Sequence, residues 1–117
     1  SGDHPDVLFE QVRWPSNDEI LVVTEGSRGA LVRAKGKMYH VPAFPSVPVD
    51  VTGAGDVFAG AFMVRYKESG DPQVAGLFAS AAASLHVEEE GDKGIPRREQ
   101  VEEKMSLFPQ YQVRLLS

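Results

Sequence analysis

Val49-Asp50-Val51-Thr52-Gly53-Ala54-Gly55-Asp56-Val57-Phe58-Ala59-Gly60 joins a glycine-punctuated turn to the start of an apolar periodicity. Gly53 and Gly55 permit backbone angles closed to other residues, so their amides can turn toward a bound group. Val57, Ala61 and Val64, with Phe58 and Phe62 beside them, recur at helical spacing and predict a helix from Asp56 to about Lys67. Ser69-Gly70 closes it, with Gly70 just past the end. The turn is therefore expected at a helix N-terminus, where unpaired N–H groups and the macrodipole favour an anion. Asp56 is a poor choice if anion binding is the whole task, because a carboxylate repels a phosphate. Its presence points to a second task, such as accepting a proton from an attacking hydroxyl. Together these features follow the logic of a phosphotransferase.

The same residues, Asp50-Val51-Thr52-Gly53-Ala54-Gly55-Asp56-Val57-Phe58 and Gly60, resemble the C-terminal signature of the ribokinase-like (PfkB-type) carbohydrate kinases. That signature reads roughly D-x-T-G-A-G-D-x-F-x-x-G, and Gly60 falls about a position earlier than its last glycine. The resemblance runs from about Glu19 to Glu102 and touches only the C-terminal portion of the family. It implies an α/β fold, the C-terminal part of a three-layer α/β/α sandwich with strands, a β-hairpin and about three helices. It also implies ATP-dependent transfer of a phosphoryl group to a hydroxyl of a sugar, nucleoside or inositol. Asp56 would be the general base and would touch the substrate, with Gly53, Ala54 and Gly55 as the anion hole. Magnesium is expected as the companion of ATP, although no dedicated magnesium carboxylates stand out. The family's sugar-binding glycines and β lid belong to its N-terminal half and have no counterpart here. The chain therefore reads as a fragment, incomplete for catalysis, whose partner is a missing N-terminal half or a second copy.

Upstream, Glu19-Ile20-Leu21-Val22-Val23-Thr24 is a continuous apolar, β-branched run, as in a strand buried on both faces of a parallel sheet. Thr24-Glu25-Gly26-Ser27-Arg28-Gly29 follows. Gly26 and Gly29 let the backbone approach a ligand, while Thr24, Ser27 and Arg28 can bond phosphate oxygens. An ordinary strand-to-hairpin loop with a solvated arginine is the alternative. The run also resembles the family's T-x-G-x-x-G loop, which lies along the nucleotide, and this implies ATP contacts at Thr24, Gly26, Ser27, Arg28 and Gly29.

Residues 30–34 and 38–42 flank a short Lys-Gly turn and predict a β-hairpin, with His40 as a strand-face residue. Pro42, Pro45 and Pro48 keep the next segment extended. Asp71-Pro72 restarts a helix, aspartate as cap and proline in the first turn. Its predicted face is Val74, Leu77, Phe78, Ala81 and Leu85, and the alanines after Ala79 allow close packing. Ser80 falls where the family touches the adenine ring. Glu88-Glu89-Glu90 reads as a solvated helix end, and His86 as a helix-end histidine. In some family members the following loop supplies carbonyls to a monovalent cation, whose other ligands would be the Asp50 carboxylate and the Thr52 carbonyl. A potassium ion would suit such an all-oxygen cage. The loop is about one residue shorter than in close ribokinase relatives, and His86 and Glu89 to Gly91 would offer backbone alone. Pro96 opens a last helix, Arg97 to about Leu107, with Val101, Met105 and Phe108 on one side.

These readings divide the 117 residues into an arm or connector over 1–18, a nucleotide-binding and catalytic part over 19–109, and a tail over 110–117. The arm is expected as a short helix or extended segment, with Ser1-Gly2 set aside as a cloning remnant. The tail is an edge strand or disordered. A net charge of −5 argues against nucleic acid and anionic membranes as partners. No apolar run is long enough to cross a membrane. The absence of cysteine fits a reducing cytoplasm. Two other readings stand beside the kinase: a non-catalytic nucleotide- or anion-binding module completed by another chain, and a structural fragment. The third leaves both glycine loops unexplained.

Overall fold

Ile20, Val22 and Thr24 are buried while Leu21, between them, is 37% exposed. That alternation marks a strand covered on one face. In the computed structural model, which describes residues 8–13, 19–89 and 96–116, this strand is β2 (Glu19–Thr24). It follows β1 (Leu8–Arg13) and precedes β3 (Ala30–Ala34) and β4 (Lys37–Val41). Then come α1 (Ala54–Ser69), α2 (Pro72–His86), α3 (Arg98–Leu107) and β5 (Arg114–Leu115). The sheet order is β1-β2-β3-β4-β5, with every neighbouring pair antiparallel. The expectation of a parallel-type strand buried on both faces is thus corrected. On the outer face Leu21 lies opposite Arg33 and Val23 opposite Leu31, and no described helix covers that side. An apolar run records hydrophobicity without recording which face is covered. The α/β class stands, with the sheet and one helical layer present among the described residues.

Residues 8–13 take the extended form of the two open for the arm, pairing with β2 from Leu8 opposite Thr24 to Arg13 opposite Glu19. Ser1-Gly2, Trp14-Pro15 and the loop over 90–95 lie outside the described residues.

The hairpin turns at Lys35 (φ 54°) and Gly36 (φ 73°), the pair of positive φ angles that matches strand twist in a two-residue loop. Lys35 Nζ donates to the Gly70 carbonyl at 2.9 Å and stands 5.8 Å from the Tyr66 ring centroid. A cation thus faces the C-terminal end of α1, where the helix dipole favours it. Gly70 ends that helix in the left-handed conformation, φ 67°, its N–H returning to the Tyr66 carbonyl at 2.7 Å.

The α1 helix starts at Ala54, two residues before the expected Asp56. Its buried face holds Val57, Phe58, Ala61, Phe62 and Tyr66, whereas Val64 is 51% exposed. At about 100° per residue Val64 points nearly opposite to Phe62, so the stripe runs on through Tyr66. Phe58, Phe62 and Tyr66 stack along it with centroids 6.4 and 5.7 Å apart.

Asp71 caps α2, its Oδ1 accepting the Gln73 N–H at 2.9 Å, and Pro72 occupies the first turn as the sequence reading expected. The buried side chains are mainly small: Ala75, Ala79, Ser80, Ala81, Ala82 and Ser84, with Phe78 and His86. Of the predicted face, Phe78 and Ala81 lie in the core and Leu77 and Leu85 pack on its margin, half-buried like Val74. The small residues let α2 sink against α1, β3 and β4, with α3 beside it. At Gly76 the approach is so close that a β-carbon would lie 2.8 Å from Val41 Cγ2. In α3, Val101 is fully buried, and Met105 and Phe108 pack on the core. Phe44, Phe108 and Tyr111 form an aromatic cluster with centroids 5.4 to 6.3 Å apart, fastening the proline-rich segment to the end of α3. The tail forms the edge strand β5 opposite Tyr39 and His40.

Candidate active site

The first loop leaves β2 at Thr24, which is buried, and makes a 3-10 turn over Gly26–Arg28. Glu25 N–H closes it on the Gly29 carbonyl at 2.7 Å. Gly29 has φ 95° and ψ −140°, a region open to glycine alone, and an added β-carbon would lie 2.1 Å from the Val41 carbonyl oxygen. Gly26, Ser27 and Arg28 are exposed on the rim. From β4, His40 Nε2 meets the Arg28 carbonyl at 2.9 Å. Since a carbonyl only accepts, the proton is placed on that nitrogen. His40 is thus a strand-face residue, as expected, and it holds the loop.

The second loop is built around Thr52. Its N–H donates to Asp50 Oδ1 at 2.9 Å, an Asx-type turn that the sequence Asp-x-Thr permits. Its carbonyl is 2.8 Å from His86 Nε2, which must again be the donor. Gly53 is left-handed, φ 81°, and carries the chain into α1. Ala54 N–H turns back to the Val51 carbonyl at 3.2 Å. The amides of Gly53, Gly55 and Asp56 find no acceptor among the described residues. Three donors thus gather at the positive end of a sixteen-residue helix. Asp56, in its first turn, is exposed and has no hydrogen-bond or ion-pair partner among the described residues.

Both loops are docked on α2. Gly76 lies against Val41, which also packs on Gly29, Ser80 Oγ donates to the Pro42 carbonyl, and His86 reaches Thr52. The ten helical steps from Gly76 to His86 span roughly 15 Å. Ser80 is 6% exposed, so its hydroxyl is engaged in anchoring the segment between β4 and α1.

Two residues do work that the sequence reading did not assign them. Glu88 was expected among solvated acids, yet its Oε2 accepts the Val47 N–H at 3.0 Å and its Oε1 lies 3.9 Å from Lys104 Nζ. Beside it the Val87 carbonyl accepts from Val49 and Asp50 N–H at 2.6 and 3.0 Å. His86 was expected as a helix-end residue, and it is 1% exposed and bonded to the second loop. Neither contact had a local signal, since each joins residues more than thirty positions apart.

Of the oxygens expected around a potassium ion, the Thr52 carbonyl faces the His86 N–H and one Asp50 oxygen accepts from Thr52, while the loop expected to supply the other carbonyls lies outside the described residues. No described helix is long and apolar enough to cross a membrane.

A glycine turn thus opens a helix, an acid without a partner among the described residues stands in that helix's first turn, and a second glycine loop lies at the sheet. Residues 2–98 match the pfkB family carbohydrate kinase model. Ribokinase of Bacillus subtilis is 46% identical over 87 residues, covering 74% of this chain and 30% of its own length. The structure of Arabidopsis thaliana ribokinase complexed with ribose and ATP superposes with a TM-score of 0.68 at 35% identity, covering 74% of this chain and 28% of that one. A ribokinase-type protein of Escherichia coli solved with ATP and Mg2+ gives 0.65 at 31% identity, covering 70% and 27%. The chain belongs to the pfkB family of carbohydrate kinases. It spans about 30% of the length of the curated ribokinase that it matches.

Proposed function

We propose that this chain carries the nucleotide site and the catalytic base of an ATP-dependent kinase acting on a hydroxyl of a sugar or nucleoside. The observation that carries the reading is the exposed Asp56 carboxylate beside the amides of Gly53, Gly55 and Asp56, none of which has a hydrogen-bond partner among the described residues. Asp56 takes the proton of the acceptor hydroxyl as that oxygen attacks the γ-phosphorus. The bond from the γ-phosphorus to the β,γ-bridging oxygen breaks, and ADP leaves. Charge spreading over the transferring phosphoryl oxygens is met by the free amides at the α1 N-terminus. Thr24, Gly26, Ser27, Arg28 and Gly29 border the rest of the nucleotide. Ser80 supports the adenosine end by holding Pro42. Magnesium arrives with ATP as part of the substrate. No step is assigned to a monovalent cation.

The acceptor is bound by chain outside these 117 residues, either an N-terminal half or a second polypeptide, and the site operates in the cytoplasm.

The test is calorimetric titration of the chain with MgATP, with Gly55→Asp as control, followed by phosphotransfer assays of Asp56→Asn in the full-length protein. Saturable binding lost in Gly55→Asp, and turnover lowered ~10²–10⁴-fold by Asp56→Asn, are expected. Turnover within twofold of wild type in Asp56→Asn would sink the base assignment.

A further inference from the structure

We infer that His86 is a positioning residue that aims the Gly53 amide into the anion site, an inference that rests on the reading above. The peptide unit between Thr52 and Gly53 is trans and planar, so its carbonyl and its N–H point in opposite directions. Whatever fixes one fixes the other. The His86 imidazole, 1% exposed at the last residue of α2, donates from Nε2 to the Thr52 carbonyl at 2.8 Å. The carbonyl is thereby held toward α2, and the Gly53 N–H is turned away from it, toward the open end of α1.

The alternative peptide orientation is within reach of a glycine. Gly53 at φ 81° has no side chain to oppose a flip of the preceding peptide, and a β-carbon there would still clear His86 Nε2 by 3.5 Å. Sterics alone therefore leave the plane unfixed, and hydrogen bonds on both sides of Thr52 set it. Asp50 fixes the N–H of Thr52, and His86 fixes its carbonyl. Without the imidazole, the carbonyl would be released to turn toward another donor or solvent, carrying the Gly53 N–H out of the site. The Val87 carbonyl, bonded to Val49 and Asp50, keeps the end of α2 and the start of the loop in one frame, so the imidazole is delivered at a fixed height.

The test follows the backbone amides of the 15N-labelled chain during titration with Mg-AMPPNP, in wild type, His86→Gln, His86→Leu and Gly55→Asp. Glutamine places a donor near the position of Nε2, whereas leucine fills the space without one. Expected are saturable shifts of Gly53 and Gly55 in wild type and in His86→Gln. In His86→Leu the Kd should rise at least tenfold and the Gly53 response should be lost, while the Gly26 and Gly29 shifts persist at saturation. Retention of those shifts shows a folded variant with the first loop intact. Binding by His86→Leu within twofold of wild type, with Gly53 responding normally, overturns the inference. So does a glutamine variant as impaired as leucine. If wild type itself shows no saturable response, the nucleotide reading fails and this inference with it. If wild type binds and Gly55→Asp does not, that reading stands whatever His86 does.

Discussion

Gly29 and Val41 lie so close that a β-carbon on the glycine would sit 2.1 Å from the valine carbonyl oxygen. The obstruction is backbone, held in the β3–β4 ladder opposite Ala30, and cannot swing aside. Gly29→Ala combines that clash with a φ of 95°. The expected loss is at least about 3 kcal/mol of stability, read from thermal and denaturant unfolding. A loss below about 1 kcal/mol would mean that the loop relaxes freely. Gly29 thus has a structural reason to be glycine, whatever it does for a nucleotide.

Val41 meets a second glycine on its other side. A β-carbon at Gly76 would be 2.8 Å from Val41 Cγ2, and Val41 is fully buried. Gly76→Ala is expected to cost ~1–3 kcal/mol by overpacking, despite its gain in helix propensity. In a Val41→Ala background the same substitution should become neutral or stabilising. Additive losses in the double mutant would show that the two positions do not share the space.

Asp71 Oδ1 accepts the Gln73 N–H, so Asp71→Ala should cost about 1 kcal/mol and Asp71→Asn much less. Equal losses in chemical denaturation would exclude the capping role.

Arg98 hydrogen-bonds Glu68 and, with Arg65, holds its carboxyl below the ordinary 4.5. A folded-state value depressed in this way stabilises above the unfolded value, and the contribution disappears as pH falls through the folded one. The Tm of wild type should therefore exceed that of Glu68→Gln at pH 7, and the gap should close in acid well below 4.5. Both side chains are about two-fifths exposed, so the gap is small and shrinks with added salt. A gap unchanged between pH 7 and acid would rule out the ion pair as its source.

Local chemistry made the helices and the hairpin legible. Asp71-Pro72 started α2 where expected, Gly70 ended α1, and the Lys35-Gly36 turn stands between β3 and β4. Each of these signals acts within a few residues. Errors arose where the deciding partner was distant. Leu21 and Val23 read as core, but whether a second layer covers them is not encoded in their own stretch. Leu77 and Leu85 do pack on the core, but at its margin, because closeness of approach placed the alanines of α2 deepest. At the site, Asp56 and its glycines stood out through a local turn-to-helix pattern. His86 and Glu88 did not, because their hydrogen bonds reach back to Thr52 and Val47 across the whole α1–α2 hairpin.

Strand order in the sheet follows chain order, each described strand bonded to the one before it up to β4. A sheet assembled this way closes short loops first, and its entropic cost accrues in small steps. The pairings from β1 to β4 join neighbours in sequence, which favours rapid collapse over slow search for remote partners. During synthesis, β1 through β4 can pair before α2 emerges, presenting the apolar face on which α1 and α2 then condense. The turn from Asp50 to Gly53 lies between those two phases, so it is set in place only when α2 docks and its last residue reaches Thr52.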